Sequence, residues 1–142
     1  MIYTKKTREA LSLCFEAHKD QLDKSGLPYV FHPFHLAEQM TDETTTIVAL
    51  LHDVVEDTDY TLSFLAEKGF SKEVIDALDL LTHKKGVPYS DYVAKIKPNP
   101  VARAVKLADL AHNTDRTRLD FIDEKMQERY KNYEKAIKFL SE

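Results

Sequence analysis

Apolar residues recur along most of the chain at intervals of three and four, the spacing that places them on one face of an α-helix. The buried stripe predicted for the C-terminal segment consists of Met126, Tyr130, Tyr133, Ile137 and Leu140. The chain has only three glycines, Gly26, Gly69 and Gly86, and few runs of β-branched residues. The pattern therefore predicts an all-α fold, a helical bundle.

Capping residues and helix breakers divide this pattern into about seven to eight helices. The first is predicted over residues 4–19, and its predicted buried face consists of Leu11, Cys14, Phe15 and His18. A short second helix is expected around Pro33, directly after His32. A third, capped by Asp42, is expected to end near Val55. The remaining predicted helices cover residues 61–69, 71–83, 90–97, 99–113 and 123–141.

Length and charge narrow the class of protein. The 142 residues are expected to form a single domain, 1–142. A net charge of −4 argues against broad binding to nucleic acid or to anionic membranes. We expect neither a signal peptide nor a membrane span, and the single cysteine, Cys14, excludes an internal disulfide and fits a reducing cytoplasm. The sequence leaves the oligomeric state open.

The stretch "ALLHDVVEDT" places four ionisable residues directly after the most apolar segment of the chain. On a helix His52 and Glu56 would share one face, and Asp53 and Asp57 would share another. Burial of charge is costly unless the charge is paired or bound to a metal. The stretch is therefore either a helix end that reaches water or the floor of a site.

Two further segments carry candidate ligands. His32 lies at a predicted helix start in "LPYVFHPFH", where it could equally be a capping or surface residue, as we expect of His35. Asp109 interrupts an apolar helix face and needs a partner, which a metal ion or Lys106 could supply. The simpler interpretation of that helix is a surface salt bridge between Lys106 and Asp109.

Together His32, His52, Asp53 and Asp109 form a set of two imidazoles and two carboxylates. Such a set suits Mn, Fe, Zn, Ni or Mg, and the absence of thiolates disfavours a structural zinc site. Four protein ligands leave positions for water on a six-coordinate ion, which lowers the pKa of that water and makes it a nucleophile at neutral pH.

In order and in context these residues resemble the HD-domain metal-dependent phosphohydrolases. The segments "AHKDQLDKSGLPYVFHP", "LLHDVVEDT" and "VKLADLAHN" are similar to the motifs of the (p)ppGpp hydrolase domain of the RelA/SpoT family and of the small alarmone hydrolases. These enzymes release pyrophosphate from the 3′ position of the alarmone. The resemblance implies one metal ion, typically manganese, bound by His32, His52, Asp53 and Asp109.

The resemblance also implies roles for residues around the metal. Glu56 and Asp57 correspond to the acidic pair beside the metal-bound water. Asn113 corresponds to a contact with the nucleotide, and Lys24 to a residue facing the base or a phosphate. Arg116 is a third candidate substrate-binding residue.

Three positions depart from the family pattern. Asp23 stands where the family usually has an Arg that stacks on guanine, and Leu110 and Asp115 replace basic residues of the last motif. Lys24, Arg116 and Arg118 are neighbouring cations that could compensate. The sequence thus predicts a (p)ppGpp 3′-pyrophosphohydrolase-like enzyme with a small nucleotide substrate. The alternatives are hydrolysis of another nucleotide monophosphate or diphosphate, a non-catalytic HD domain that binds nucleotide or metal, and a helical interaction module.

Overall fold

Helices account for nearly all of the regular structure, as the hydrophobic pattern predicts. The computed structural model describes all residues, Met1–Glu142, and contains no β-strand. The α-helices are α1 (Lys5–His18), α2 (Phe31–Glu38), α3 (Glu43–Leu51), α4 (Val54–Asp57), α5 (Leu62–Glu67), α6 (Lys72–Leu81), α7 (Tyr89–Ile96), α8 (Pro100–Asn113) and α9 (Glu124–Ser141). A 3₁₀ turn, Arg116–Arg118, lies between α8 and α9.

Side-chain caps set most of the predicted helix starts. The Thr4 hydroxyl accepts a hydrogen bond from the Thr7 amide, and the Asp42 carboxylate accepts one from the Thr45 amide. Asn99 caps α8 directly before Pro100, so this helix has the predicted bounds. The all-α class predicted from the sequence is confirmed.

The predicted third helix is divided in two, and this is the main difference from the expected helix pattern. Helix α3 ends at Leu51 and α4 begins at Val54, with His52 and Asp53 between them. The His52 Nδ1–H donates to the Ala49 carbonyl at 2.7 Å, and in a continuing helix that carbonyl accepts from the Asp53 amide. The side chain that the site needs thus helps to end the helix.

Helix α3 is the centre of the bundle. Every residue from Thr45 to Leu51 is buried, and the helix contacts α1, α2, α6 and α8. Its C-terminal end therefore opens among helices rather than into bulk water, which is what allows a buried site there. None of the helices is both long and apolar enough to cross a membrane.

The predicted buried face of α1 is wrong at Phe15, and Leu11 is only partly buried. Phe15 is 54% exposed, and the buried residues of this helix are Thr7, Ala10, Cys14 and His18. These four recur at three- and four-residue intervals, so the face towards α3 is narrower than predicted and leaves Phe15 at its edge.

Candidate metal centre and substrate cavity

Three of the four predicted ligands meet at one buried point. His32 lies in the first turn of α2, His52 directly follows α3, and Asp109 lies on α8. One ligand atom from each of these residues lies within 4.8 Å of the others. The Nε2 atoms of His32 and His52 are 2.9 Å and 3.6 Å from Asp109 Oδ1.

Asp109 is 5% exposed, so its charge depends on its neighbours. Lys106 Nζ donates to Oδ2 at 2.8 Å, and Asn113 Nδ2 donates to Oδ1 at 3.0 Å. Burial favours the neutral acid, but the Lys106 ammonium, the bond from His32 and the neighbouring His52 outweigh it and keep the pKa of Asp109 well below its ordinary value. The Lys106–Asp109 contact is thus a buried pair and not the surface salt bridge of the simpler interpretation.

The second nitrogen of His52 has no hydrogen-bond partner. Nδ1–H is engaged by the Ala49 carbonyl, and Nε2 is buried without a hydrogen bond although Asp53 Oδ2 lies 3.1 Å away. In the neutral tautomer that this fixes, the Nε2 lone pair faces the carboxylates of Asp53 and Asp109. Burial opposes charge on the ring, but these two carboxylates raise the pKa of His52 well above its ordinary value. The centre therefore calls for a positive charge, either a proton on Nε2 or a cation among the three groups.

Asp53, the fourth predicted ligand, borders this group through His52. Its Oδ2 also accepts a hydrogen bond from the Tyr29 hydroxyl. Burial alone would raise the pKa of Asp53, but the neighbouring His52 has a larger effect in the opposite direction. The pKa is therefore lowered and the carboxylate is ionised. Tyr29 was not singled out in the sequence, although it stands three residues before His32 in the same motif.

Glu56 and Asp57 lie one turn beyond Asp53, at the end of α4, and both are exposed to solvent. Glu56 Oε1 accepts from the His83 amide at 2.8 Å, and Asp57 Oδ2 accepts from Gln21 Nε2 at 3.5 Å. Partial desolvation by the surrounding protein is the main cause that raises the pKa of each carboxyl, and the charge of Asp53 adds to it. Because of the raised pKa values, both groups can exchange a proton more readily near neutral pH than an ordinary carboxylate can.

A cavity of about 500 Å³ opens beside these acids. Among the predicted residues Lys24, His32, Asp53, Glu56, Asp57, Asp109 and Asn113 line it. His52 instead lines a smaller cavity of about 170 Å³, which also borders Asp53, Glu56 and Asp109. The acidic cluster thus lies where a larger and a smaller cavity meet.

Cations also line the larger cavity, but not all are the predicted ones. Arg116 is not among the lining residues, because its guanidinium lies over the Tyr130 ring at 4.7 Å and faces Glu134 at 3.6 Å. Arg118 and Arg129 line the cavity together with Lys24. Burial, followed by the charge of Arg129, lowers the pKa of Lys24. Arg129 was missed because only the packing of α9 against α8 brings it to the site.

Asp23 also borders the cavity, but its carboxylate has a local structural role. Oδ1 accepts from the amides of Ser25 and Leu27 at 2.8 Å and 3.0 Å, and Oδ2 lies 3.7 Å from Arg118. These bonds hold the loop that precedes α2. Arg118 therefore offsets part of the negative charge that Asp23 brings to the cavity.

An all-α bundle that brings together a His from α2, a His-Asp pair directly after α3 and an Asp from α8 has the architecture of an HD domain. A metazoan ortholog of SpoT, described as hydrolysing ppGpp, has a similar structure, with a TM-score of 0.76 and 25% identity over 99% of this chain and 87% of that one. No protein-family model matches the chain.

Sequence comparison gives relatives of the same kind. The chain is 35% identical over 119 residues to a probable GTP pyrophosphokinase of Mycobacterium leprae, and 32% identical over 125 residues to the bifunctional (p)ppGpp synthase/hydrolase SpoT of Escherichia coli. These matches cover 75% and 77% of this chain but only 15% and 18% of those proteins. The predicted resemblance to the hydrolase domain of RelA/SpoT proteins is confirmed.

The buried Lys106–Asp109 pair leads to a prediction about stability. Lys106→Met keeps the length of the side chain but leaves Asp109 buried without its cation. We expect the free energy of unfolding, measured by urea denaturation at neutral pH without added metal, to fall by about 3–5 kcal/mol. The deficit should shrink as the pH falls, because protonation of Asp109 removes the buried charge.

The matched control is Lys72→Met, which removes an exposed partner of Asp76. We expect it to change stability by less than about 0.5 kcal/mol. Equal losses in the two variants would mean that Lys106 does not compensate a buried charge.

Proposed function

We propose that this chain is a divalent-metal-dependent phosphohydrolase that acts on a nucleotide, with the 3′-pyrophosphate of (p)ppGpp as the leading candidate for the group removed. The observation that carries the proposal is the buried His52 Nε2, which faces two carboxylates with no hydrogen-bond partner. The names of the relatives support the choice of substrate.

The residues at the centre fit a metal ion. His32, His52, Asp53 and Asp109 would hold it, and their nitrogen and oxygen donors suit manganese, iron, zinc, nickel or magnesium. By resemblance to the family, manganese is the first choice. When bound, such an ion acidifies a water molecule and stabilises negative charge on a phosphoryl oxygen.

Glu56 and Asp57 would carry out the proton transfers. Hydrolysis of a 3′-pyrophosphate forms a bond from the water oxygen to phosphorus and breaks the bond from phosphorus to the ribose 3′ oxygen. The water loses a proton and the ribose oxygen gains one. Two carboxyls with raised pKa values, placed one turn beyond Asp53, are suited to accept the first proton and to donate the second.

The larger cavity would hold the nucleotide. Lys24, Arg118 and Arg129 line it and can bind phosphate groups that are not cleaved, while Asn113 can contact the sugar or base. Lys24 and Arg129 form no ion pair within the chain, so their charges are available to a ligand. These cations supply positive charge that Asp23, Leu110 and Asp115 do not.

Asp23, in the place of the family's base-stacking Arg, affects which nucleotide the cavity would prefer. A carboxylate cannot stack on a purine as an Arg plane does, so base binding should be weaker than in relatives that have the Arg. We therefore expect hydrolysis of nucleotides other than (p)ppGpp to be detectable. A non-catalytic HD domain would instead bind nucleotide without releasing phosphate or pyrophosphate.

Metal binding provides the first test of the proposal. His52→Gln removes an imidazole ligand, and Asp109→Asn removes the negative charge of a carboxylate ligand. The Mn²⁺ dissociation constant from calorimetric titration should therefore rise by more than the roughly 10- to 100-fold expected when only a residue that supports a ligand is changed. Asp76→Asn, which changes an exposed acid outside the site, should leave it unchanged. Wild-type affinity in both site variants would remove the basis of the metal assignment.

Substitution of Glu56 and Asp57 tests their proposed role in proton transfer. Glu56→Gln and Asp57→Asn should keep Mn²⁺ affinity within a few-fold but lower turnover by about 100- to 10,000-fold, because the amides cannot transfer a proton. In the wild type, turnover should fall as the pH drops through the raised pKa of the carboxyl that acts as the base, so this fall should begin at a higher pH than for a carboxyl with an ordinary pKa. Turnover close to that of the wild type in both variants would show that neither group transfers a proton.

Substitution of a cation that lines the cavity tests the proposed mode of substrate binding. In the presence of Mn²⁺ the wild type should release pyrophosphate from ppGpp, and Arg129→Gln should raise KM by about tenfold or more with a smaller change in kcat, because the contact is remote from the reacting phosphorus. Lys125→Gln, a charge loss on the same helix that does not line the cavity, is the control. If the wild type released neither phosphate nor pyrophosphate from any nucleotide in a panel, the hydrolase assignment would be refuted. If Arg129→Gln and Lys125→Gln changed KM equally, the role of Arg129 would be refuted.

A further inference from the structure

His112 forms a hydrogen bond with the candidate ligand His32 that the catalytic proposal does not use. Their Nδ1 atoms are 2.7 Å apart, the ring planes differ by 6° and the ring centres are 5.0 Å apart. The ring planes are nearly parallel, and the ring centres are much farther apart than the two Nδ1 atoms. The imidazoles therefore meet edge to edge and are not stacked face to face. This geometry is that of an in-plane hydrogen bond with one proton between the nitrogens.

The position of that proton follows from the other side of His32. Its Nε2 points towards Asp109 Oδ1, the oxygen that also faces His52. A neutral imidazole has one N–H and one lone pair, and a ligand to a cation must present the lone pair. If His32 Nε2 binds the ion, then Nδ1 carries the hydrogen and His112 Nδ1 must accept it.

The surroundings of His112 favour this acceptor role. A neutral imidazole whose Nε2 carries the hydrogen presents the Nδ1 lone pair that this bond needs. Arg118 Nη1 donates to the His112 carbonyl at 3.0 Å and is thereby held beside it. The His35 ring packs against His112 at a centre distance of 4.2 Å and makes no hydrogen bond to His32.

We propose that His112 is a positioning residue for the metal centre, which holds the His32 ring with its Nε2 lone pair towards the ion by accepting the Nδ1–H. This inference depends on the proposed metal site. The outer partner of a metal-bound histidine is usually a carboxylate, a backbone carbonyl or water. Here it would be a second imidazole, which fixes the tautomer without adding negative charge to a centre that already has two carboxylates.

The test is Mn²⁺ affinity, measured by calorimetry on the full chain. His112→Ala removes the acceptor, and we expect the dissociation constant to rise by about 10- to 100-fold. His112→Gln retains a side-chain oxygen that can accept the bond, so it should recover part of the loss. His35→Ala, which removes a ring that packs on His112 but makes no bond to His32, is the matched control and should bind Mn²⁺ like the wild type.

A second measurement reads the hydrogen bond itself. With diamagnetic Zn²⁺ or Mg²⁺ bound, the His32 Nδ1–H should give a slowly exchanging downfield proton resonance that is lost in His112→Ala and kept in His35→Ala. Wild-type affinity together with an unchanged resonance in His112→Ala would overturn the role of His112 alone. A wild-type chain that binds no divalent ion would instead overturn the metal site, and this inference with it.

Discussion

The site depends on one buried carboxylate. Asp109 sits on the inner face of α8, where water cannot stabilise its charge, and the Lys106 ammonium and the Asn113 amide of its own helix do so instead. His32 and His52 complete its surroundings from α2 and from the end of α3. Because the charge is costly without these neighbours, the same contacts that stabilise Asp109 also fix the relative positions of three helices.

The end of α3 shows how the fold supplies this geometry. The helix is buried on all sides, so residues directly after it emerge among other helices. The bond from His52 to the Ala49 carbonyl fixes the ring, and the chain then turns at Asp53 and begins α4. Glu56 and Asp57 thus face the cavity from a separate short helix, beside the ligands.

Features that depend only on neighbouring residues, such as helix starts, could be predicted from the sequence. Features that depend on how the helices pack could not. The Asn99-Pro100 start of α8 depends on neighbouring residues only, and its bounds were predicted correctly. The helix break at His52 depends on a hydrogen bond from the His52 side chain to the Ala49 carbonyl, and the hydrophobic periodicity of the sequence does not predict such a bond. Likewise Arg129 reaches the cavity, and Arg116 does not, because of how α9 packs, and a motif carries no information on that.

The central claim is that the buried polar cluster is a divalent-metal site with two histidine ligands. Pulsed electron paramagnetic resonance of Mn²⁺ bound to chain labelled with ¹⁵N-histidine tests it most directly. We predict hyperfine coupling to two inequivalent imidazole nitrogens, with one lost in His52→Gln. A spectrum of Mn²⁺ surrounded by water alone, with no coupled histidine nitrogen at saturating metal, would contradict the account.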